Sequence, residues 1–272
     1  MRLDLHLHST ASDGLCSPAT VVEKAVQGRL DVIALTDHDT AAGVPRARAA
    51  ARGLPLHVIA AVEASSTWRG HDIHVLGYFV DPHAPAMRGH AERAKRLRTE
   101  RMKEMLRRLG ELGVEVAFED VLEAAGPDRE SLARPHLARA LVETGHVQAV
   151  PEAFVRFIGD DGPAFVPTRL QEPQEAVAMI LEAGGIPVWA HPPDEALEPL
   201  LPTLADAGLR GLEAYRPNHR PDQVEERLRW ARRYGLLVSG GSDWHGYEHG
   251  PEVGAFYVTS GEVGELLEAG GM

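Results

Sequence analysis

The chain opens with Leu3-Asp4-Leu5-His6-Leu7-His8, an alternation of apolar and metal-capable residues. In a strand successive side chains point to opposite faces, so the spacing predicts Leu3, Leu5 and Leu7 on one face and Asp4, His6 and His8 on the other. Two imidazoles sharing a face at the end of a buried strand can ligate a divalent metal; the plainer alternative is a polar edge strand. Further residues of the same chemistry are spread along the chain: Asp13, His38, Glu63, His74, His191, Asp243 and His245. A histidine inside an apolar strand, as at His74, is by default a core side chain with a satisfied hydrogen bond, and only company from other segments raises it above that. The single cysteine, Cys16, excludes an intramolecular disulfide and any multi-cysteine zinc or iron-sulfur site, which leaves nitrogen and oxygen ligands. Cys16 itself is read as a small, partly buried side chain rather than a nucleophile.

A β/α chain must position these residues. Ser17-Pro18 reads as an N-cap with proline in the first turn, opening a helix that runs to about Gly28. Short apolar runs at 31–36, 56–62, 73–79, 186–190, 211–215, 236–239 and 254–259 read as further strands, most of them separated by helices, with a short acidic tail after the last. His38, Glu63, His191 and Asp243 each fall immediately after a predicted parallel strand, and His6 and His8 at the end of the first. In a closed or nearly closed β/α barrel those strand ends converge on one face. Between 86 and 167 the strand-like runs give way to helices at 87–112, 118–125, 136–143 and 150–158. The expected organisation is therefore a barrel in two parts, 1–85 and 168–272, interrupted by a helical insertion at 86–167.

Charge and hydropathy narrow the function classes. A net charge of -12 argues against an extended nucleic-acid surface but does not exclude a small anionic substrate, since a carboxylate cluster becomes favourable once divalent cations occupy it. Residues 86–112 carry nine Lys and Arg against four Glu. That stretch is read first as a solvated amphipathic helix burying Met102, Met105, Leu106 and Leu109, and only second as an attractor of polyanions. No run approaches the roughly 20 apolar residues of a membrane span, and the N-terminus enters a strand without a signal-peptide pattern. A cytoplasmic protein is expected, with no membrane association and no obligate protein partner.

Taken together, His6-Leu7-His8-Ser9 with Asp13, Thr36-Asp37-His38-Asp39, Glu63, His74-Val75-Leu76-Gly77-Tyr78, Ala190-His191-Pro192 and Gly241-Ser242-Asp243-Trp244-His245-Gly246 resemble the successive motifs of the PHP (polymerase and histidinol phosphatase) metallo-phosphoesterases. The resemblance runs nearly end to end. Within the insertion, 133–141 and 159–167 are similar to the insert of the nucleotide-phosphatase branch. That branch contains 3',5'-nucleoside bisphosphate phosphatases, some of which also trim short RNAs from the 5' end, and AMP-cleaving relatives.

The resemblance implies an α/β fold, a distorted (β/α)7 TIM-like barrel, holding three divalent metals. His6, His8, Glu63 and Asp243 would hold the first; Glu63, shared, with His74 and His191 the second; Asp13, His38 and His245 the third. Some relatives carry histidine where Asp13 stands. The family favours Mn²⁺, and the same ligand types accept Zn²⁺ or Fe²⁺. The implied reaction is hydrolysis of a phosphomonoester, most of all the 3'-phosphate of a 3',5'-nucleoside bisphosphate, by a metal-bridging hydroxide. Arg134 and His136 are expected to contact substrate phosphate, because guanidinium matches phosphate with paired hydrogen bonds. His219 is expected to donate a proton to the leaving alkoxide or to bind phosphate. Asp13 and His38 complete the expected catalytic set. Two rival readings stand beside this one: a phosphatase of histidinol phosphate or another small metabolite, disfavoured by Arg134-Pro135-His136, and a metal-loaded sensor without turnover, disfavoured by the complete set of ligand types.

Overall fold

Short aliphatic runs and two longer polar ones build one sheet in this computed structural model, which describes residues 1–168, 170–247 and 250–272. Its strands are β1 (Arg2–Leu7), β2 (Val32–Leu35), β3 (His57–Trp68), β4 (His71–Tyr78), β5 (Ile186–Trp189), β6 (Gly211–Tyr215), β7 (Leu237–Gly240) and β8 (Val258–Thr259). They lie in the order β7-β6-β5-β4-β3-β2-β1-β8. The segment after β7 returns to β1, where Asp243 N–H donates to His6 O and His8 N–H to Trp244 O, both at 2.9 Å. A nearly closed α/β barrel results.

Helices α1 (Pro18–Gln27), α2 (Val44–Ala50), α7 (Pro173–Glu182), α8 (Asp194–Asp206) and α9 (Pro221–Tyr234) follow the barrel strands. Ser17 caps α1 by accepting from Thr20 N–H at 3.1 Å, with Pro18 in the first turn, where its missing N–H costs nothing. One apolar cluster fills one face of the sheet, from Leu3 and Leu5 through Ile59 and Leu76 to Val188. Others lie between the sheet and its helices.

Three expectations need correction. The sheet is not all parallel: β3 runs past Glu63 to Trp68 and pairs antiparallel with β4, which is also antiparallel to β5. Arg69 (φ 50°) and Gly70 (φ 85°) form a two-residue turn with both φ positive, the kind whose twist suits a tight hairpin. Glu63 thus sits inside a strand rather than after one, beside the neighbouring strand that holds His74 as expected. Second, β1 does not alternate cleanly, because its register on β2 shifts between Asp4 and Leu7. Leu7 consequently packs with Val21, Ile33 and Trp244, away from the cluster that holds Leu3 and Leu5. Third, the last strand is only Val258–Thr259, and the acidic tail is a helix, α10 (Ser260–Ala269), whose Glu262 accepts from Thr259 N–H at 2.7 Å.

The insertion comprises α3 (Pro85–Glu111), α4 (Phe118–Ala125), α5 (Arg134–Glu143), α6 (Val150–Ala153) and a π-helical turn at Phe154–Ile158. α3 joins it to the barrel as one continuous helix. Met87, near the start, belongs to a barrel core, whereas Met102, Met105 and Leu109 belong to the insertion's own core with Val121, Leu137 and Ile158. Expected burial of these three apolar residues on α3 is met, with Leu106 only partly covered.

Candidate metal centre

All nine residues picked from the sequence meet at one end of the barrel. β1 delivers His6, the segment after it His8 and Asp13, the segment after β2 His38, β3 and β4 Glu63 and His74, the segment after β5 His191, and the segment after β7 Asp243 and His245. Glu63 is the hub. Its Oε1 lies 2.9 Å from both His74 Nδ1 and His191 Nε2, while its Oε2 lies 3.1 Å from His38 Nδ1, 3.2 Å from His8 Nε2 and 3.4 Å from His6 Nε2. Asp243 Oδ1 closes the first group at 3.2 Å from His8 Nε2 and 3.4 Å from His6 Nε2. Asp13 stands across from these, 3.5 Å from His245 Nε2 and 3.8 Å from His8 Nδ1 through Oδ1, and 3.9 Å from His38 Nε2 through Oδ2. His38 therefore faces both the Glu63 group and the Asp13 group, a sharing not anticipated from the sequence.

The donor set fits divalent metal. His6 Nε2, His8 Nδ1 and Nε2, Asp13 Oδ1, His38 Nδ1 and Glu63 Oε2 are all buried, and none makes a hydrogen bond among the described residues. Buried polar atoms are normally paired, so a convergent set of orphans calls for an external partner. Imidazole and carboxylate atoms without thiolate suit Mn²⁺, Fe²⁺ or Zn²⁺. Two tautomers are already set for ligation. His6 Nδ1–H donates to Glu213 Oε1 and His245 Nδ1–H to the Asp243 carbonyl, both at 2.9 Å, which turns each Nε2 toward the cage.

Glu213 went unmarked in the sequence. A lone carboxylate in a five-residue strand has no motif around it, but its place in a buried apolar run was a usable signal. Its Oε2 accepts from His191 N–H at 2.7 Å, so one carboxylate orients two candidate ligands. Arg216, 3.3 Å from Glu213 Oε2, donates to Asp243 Oδ2 at 3.0 Å. Asp37 organises the loop carrying Asp13 by accepting from Ser9 N–H and Ser9 Oγ at 2.7 Å and from Ser12 Oγ at 2.8 Å. Asp39, His191 and Asp243 have positive φ (58°, 30° and 57°), local strain concentrated at the site.

A cleft of ≈ 160 Å³ connects the cage with the insertion; Asp13, His38 and His74 line it on one side, Arg101, Arg134 and Phe154 on the other. Arg134 donates to Asp160 Oδ1 at 2.6 Å and lies 3.7 Å from Asp72 Oδ2. His136 sits elsewhere than expected: its ring is fully buried, and Nδ1 accepts from Ala133 N–H at 3.0 Å, capping α5 rather than lining the cleft. Burial pushes it down to about 4, so the ring is neutral. His219 lies on the segment after β6, its Nδ1–H donating to Ala214 O at 2.9 Å. Burial, reinforced by Arg227 and Arg216, lowers its pKa.

Charges inside the cage are unevenly shared. Burial opposes protonation of His6 and His8, but Asp243 and Glu63 outweigh it, holding His6 up to about 10 and His8 well above the ordinary imidazole value. Burial wins at His38, which falls to about 3 and is ready to ligate. A protonated ring cannot bind metal, so binding must expel protons from His6 and His8. Titrating the metal-free protein with Mn²⁺ near neutral pH in two buffers of different ionisation enthalpy should show release of at least about one proton per protein, with affinity rising as pH rises. Equal heats in both buffers would contradict this account of the cage.

A mixed barrel whose strand ends gather six imidazoles and three carboxylates around shared oxygens defines a metal-dependent phosphoesterase, and residues 4–109 match the PHP domain. The chain belongs to the PHP family. It is 34% identical over 249 residues to a 5'-3' exoribonuclease of Haemophilus influenzae, covering 90% of each chain. It is 33% identical over 260 residues to a 3',5'-nucleoside bisphosphate phosphatase of Chromobacterium violaceum, covering 93% of this chain and 90% of the relative. A crystal structure of a candidate metal-dependent phosphoesterase from Bifidobacterium adolescentis superimposes with a TM-score of 0.88 at 30% identity, over 97% of this chain and 95% of that one. This chain is thus a phosphoric ester hydrolase, and no helix among its described residues is long and apolar enough to cross a membrane.

Proposed function

We propose that this enzyme removes the 3'-phosphate from 3',5'-nucleoside bisphosphates, with the 5' ends of short RNAs as a second substrate class. The observation that carries this reading is Arg134, an arginine of the insertion, lining the same cleft as Asp13, His38 and His74. A cage to cut one phosphate and a guanidinium beside it to position another suit a substrate with two phosphates. In this reading residues 86–167 act as a recognition domain on the barrel formed by 1–85 and 168–272.

Three metals, Mn²⁺ foremost, would be held by His6, His8, Glu63 and Asp243; by Glu63, His74 and His191; and by Asp13, His38 and His245. Bound there, they supply an activated water and neutralise charge on the phosphate oxygens. The chain's own groups do the rest. Glu213 fixes the His6 ring and the His191 backbone, and Arg216 holds Asp243 in register. His219 is the candidate proton donor to the leaving oxygen, in its cationic form, which a phosphate dianion alongside would favour. His136 serves the substrate indirectly, by capping the helix that carries Arg134.

Arg134→Ala should raise KM for a 3',5'-bisphosphate by at least about tenfold, the value of one charged hydrogen bond, while KM for a generic aryl phosphate moves less than about threefold. Equal effects would remove the division of labour. The same assay with histidinol phosphate and a phosphodiester in the panel decides among the rival substrates.

A further inference from the structure

Arg98 and Arg101 lie on α3 among residues that read as a solvated charged face, yet both turn toward the cleft. Arg98 is fully engaged, by Asp39, Ser65 Oγ and the Leu132 carbonyl. Arg101 is not. Its Nε–H donates to Val166 O at 2.6 Å, but its Nη2 is buried and has no hydrogen-bond partner among the described residues. Arg101 and Arg134 also flank one ring, their guanidinium carbons 5.8 and 5.2 Å from the centre of Phe165.

Among the described residues, negative charge is scarce around this pair. Asp72 Oδ2 lies 3.7 Å from Arg134 and is shared with the Thr168 hydroxyl at 3.5 Å. Among the described residues the other counter-charge is Asp160, a carboxylate whose side chain is 77% exposed. Burial, reinforced by Arg134 and Arg98 against the pull of Asp72, brings Arg101 down to about 10. Two adjacent cations, one with a buried unpaired donor and one held by a solvent-facing acid, make a place where an incoming dianion gains more than a neutral group would.

We infer that Arg101 and Arg134 together seat the phosphate that is not cut, and that Asp160 holds the Arg134 guanidinium until that phosphate displaces it. The inference rests on the bisphosphate reading above. It adds a specificity residue on a different helix from Arg134 and makes Asp160 a competitor of the substrate.

The test starts with the Mn²⁺-loaded wild-type enzyme on a 3',5'-bisphosphate and the matching 3'-monophosphate. A kcat/KM advantage of at least about tenfold for the bisphosphate is required, and its absence overturns both readings. Given that advantage, Arg101→Ala should raise KM for the bisphosphate about tenfold with kcat changed less than about twofold. Calorimetry should show affinity for the nucleoside 5'-monophosphate, the product that keeps this phosphate, falling by a similar factor. Arg101→Lys should recover part of the loss, and Asp160→Asn should lower KM below wild type. Arg101→Met keeps the apolar stem against Phe165 and guards against a packing defect. If Arg101→Met and Arg101→Ala keep wild-type KM and product affinity while the bisphosphate preference persists, Arg101 loses its role and the reading of the reaction survives.

Discussion

Glu63→Gln should reduce kcat for every phosphate ester by at least about a thousandfold while the circular dichroism spectrum stays that of the wild type. No other side chain of the cage is asked to do as much. One carboxylate, 1% exposed, presents Oε1 to two imidazoles at 2.9 Å and Oε2 to three more between 3.1 and 3.4 Å. The substitution keeps the shape but replaces one oxygen by an NH2 group, which donates hydrogen bonds and cannot ligate, and it removes the charge that Glu63 would contribute as a ligand shared between two cations. Burial would raise the Glu63 carboxyl, but the histidines around it outweigh that and hold it well below the usual carboxylate range. Metal content measured by mass spectrometry should fall with activity. A variant that keeps more than about a tenth of wild-type turnover would show that Glu63 is not the shared ligand.

The cage was legible because its members are of the few residue types that bind hard or borderline metals and because they recur beside strand ends. What local pattern could not show was how the strands turn to meet. The alternation in Leu3-Asp4-Leu5-His6-Leu7-His8 reads as a regular strand. Its register shift goes with contacts made more than 230 positions away, where a Cβ on Gly241 would lie 2.4 Å from His6 Cβ. Ala64-Ser65-Ser66-Thr67 is too polar to read as strand, so the apolar run ends at Glu63 whereas β3 continues into a hairpin. Glu213 pairs locally only with Arg216, and its value lies in two hydrogen bonds to distant segments, which no local motif announces. Arg98 and Arg101 were hidden for the opposite reason: among nine basic residues on 86–112, helical periodicity cannot tell the two that face a cleft from those, such as Arg107, that pair with Glu104 and Glu111 in solvent. His136 was chosen by type, and the fold uses it as a cap because its ring reaches back to Ala133 N–H.

Asp39→Ala should cost about 3–5 kcal/mol of stability, the range found when one member of a buried ion pair is removed and the other is left behind. Asp39 accepts from Arg98 Nε at 2.7 Å through Oδ2, and from His90 Nε2 at 2.9 Å and Ser65 N–H at 2.7 Å through Oδ1. His90 and Arg98 lie on α3 and Ser65 on β3, so this carboxylate pins the insertion to the barrel. Without it, Arg98, whose side chain is 6% exposed, keeps its charge and loses its counter-ion. The pH dependence follows in sign. Burial would raise the Asp39 pKa, but Arg98 and His90 outweigh it and hold it well below the ordinary value of about 4. A depressed folded pKa contributes stability that is present in full above the unfolded value and is lost as pH falls through and below it. Urea unfolding should therefore show the gap between wild type and Asp39→Asn at its widest at and above about pH 6 and narrowing toward about pH 3. A gap that does not change over that interval, or an Asp39→Ala loss under about 1 kcal/mol, would mean that Arg98 finds another partner and that α3 docks through its apolar face alone. If the loss is as large as expected, the same variant should also raise KM for the bisphosphate, because Arg101 rides on the helix that Asp39 holds in place.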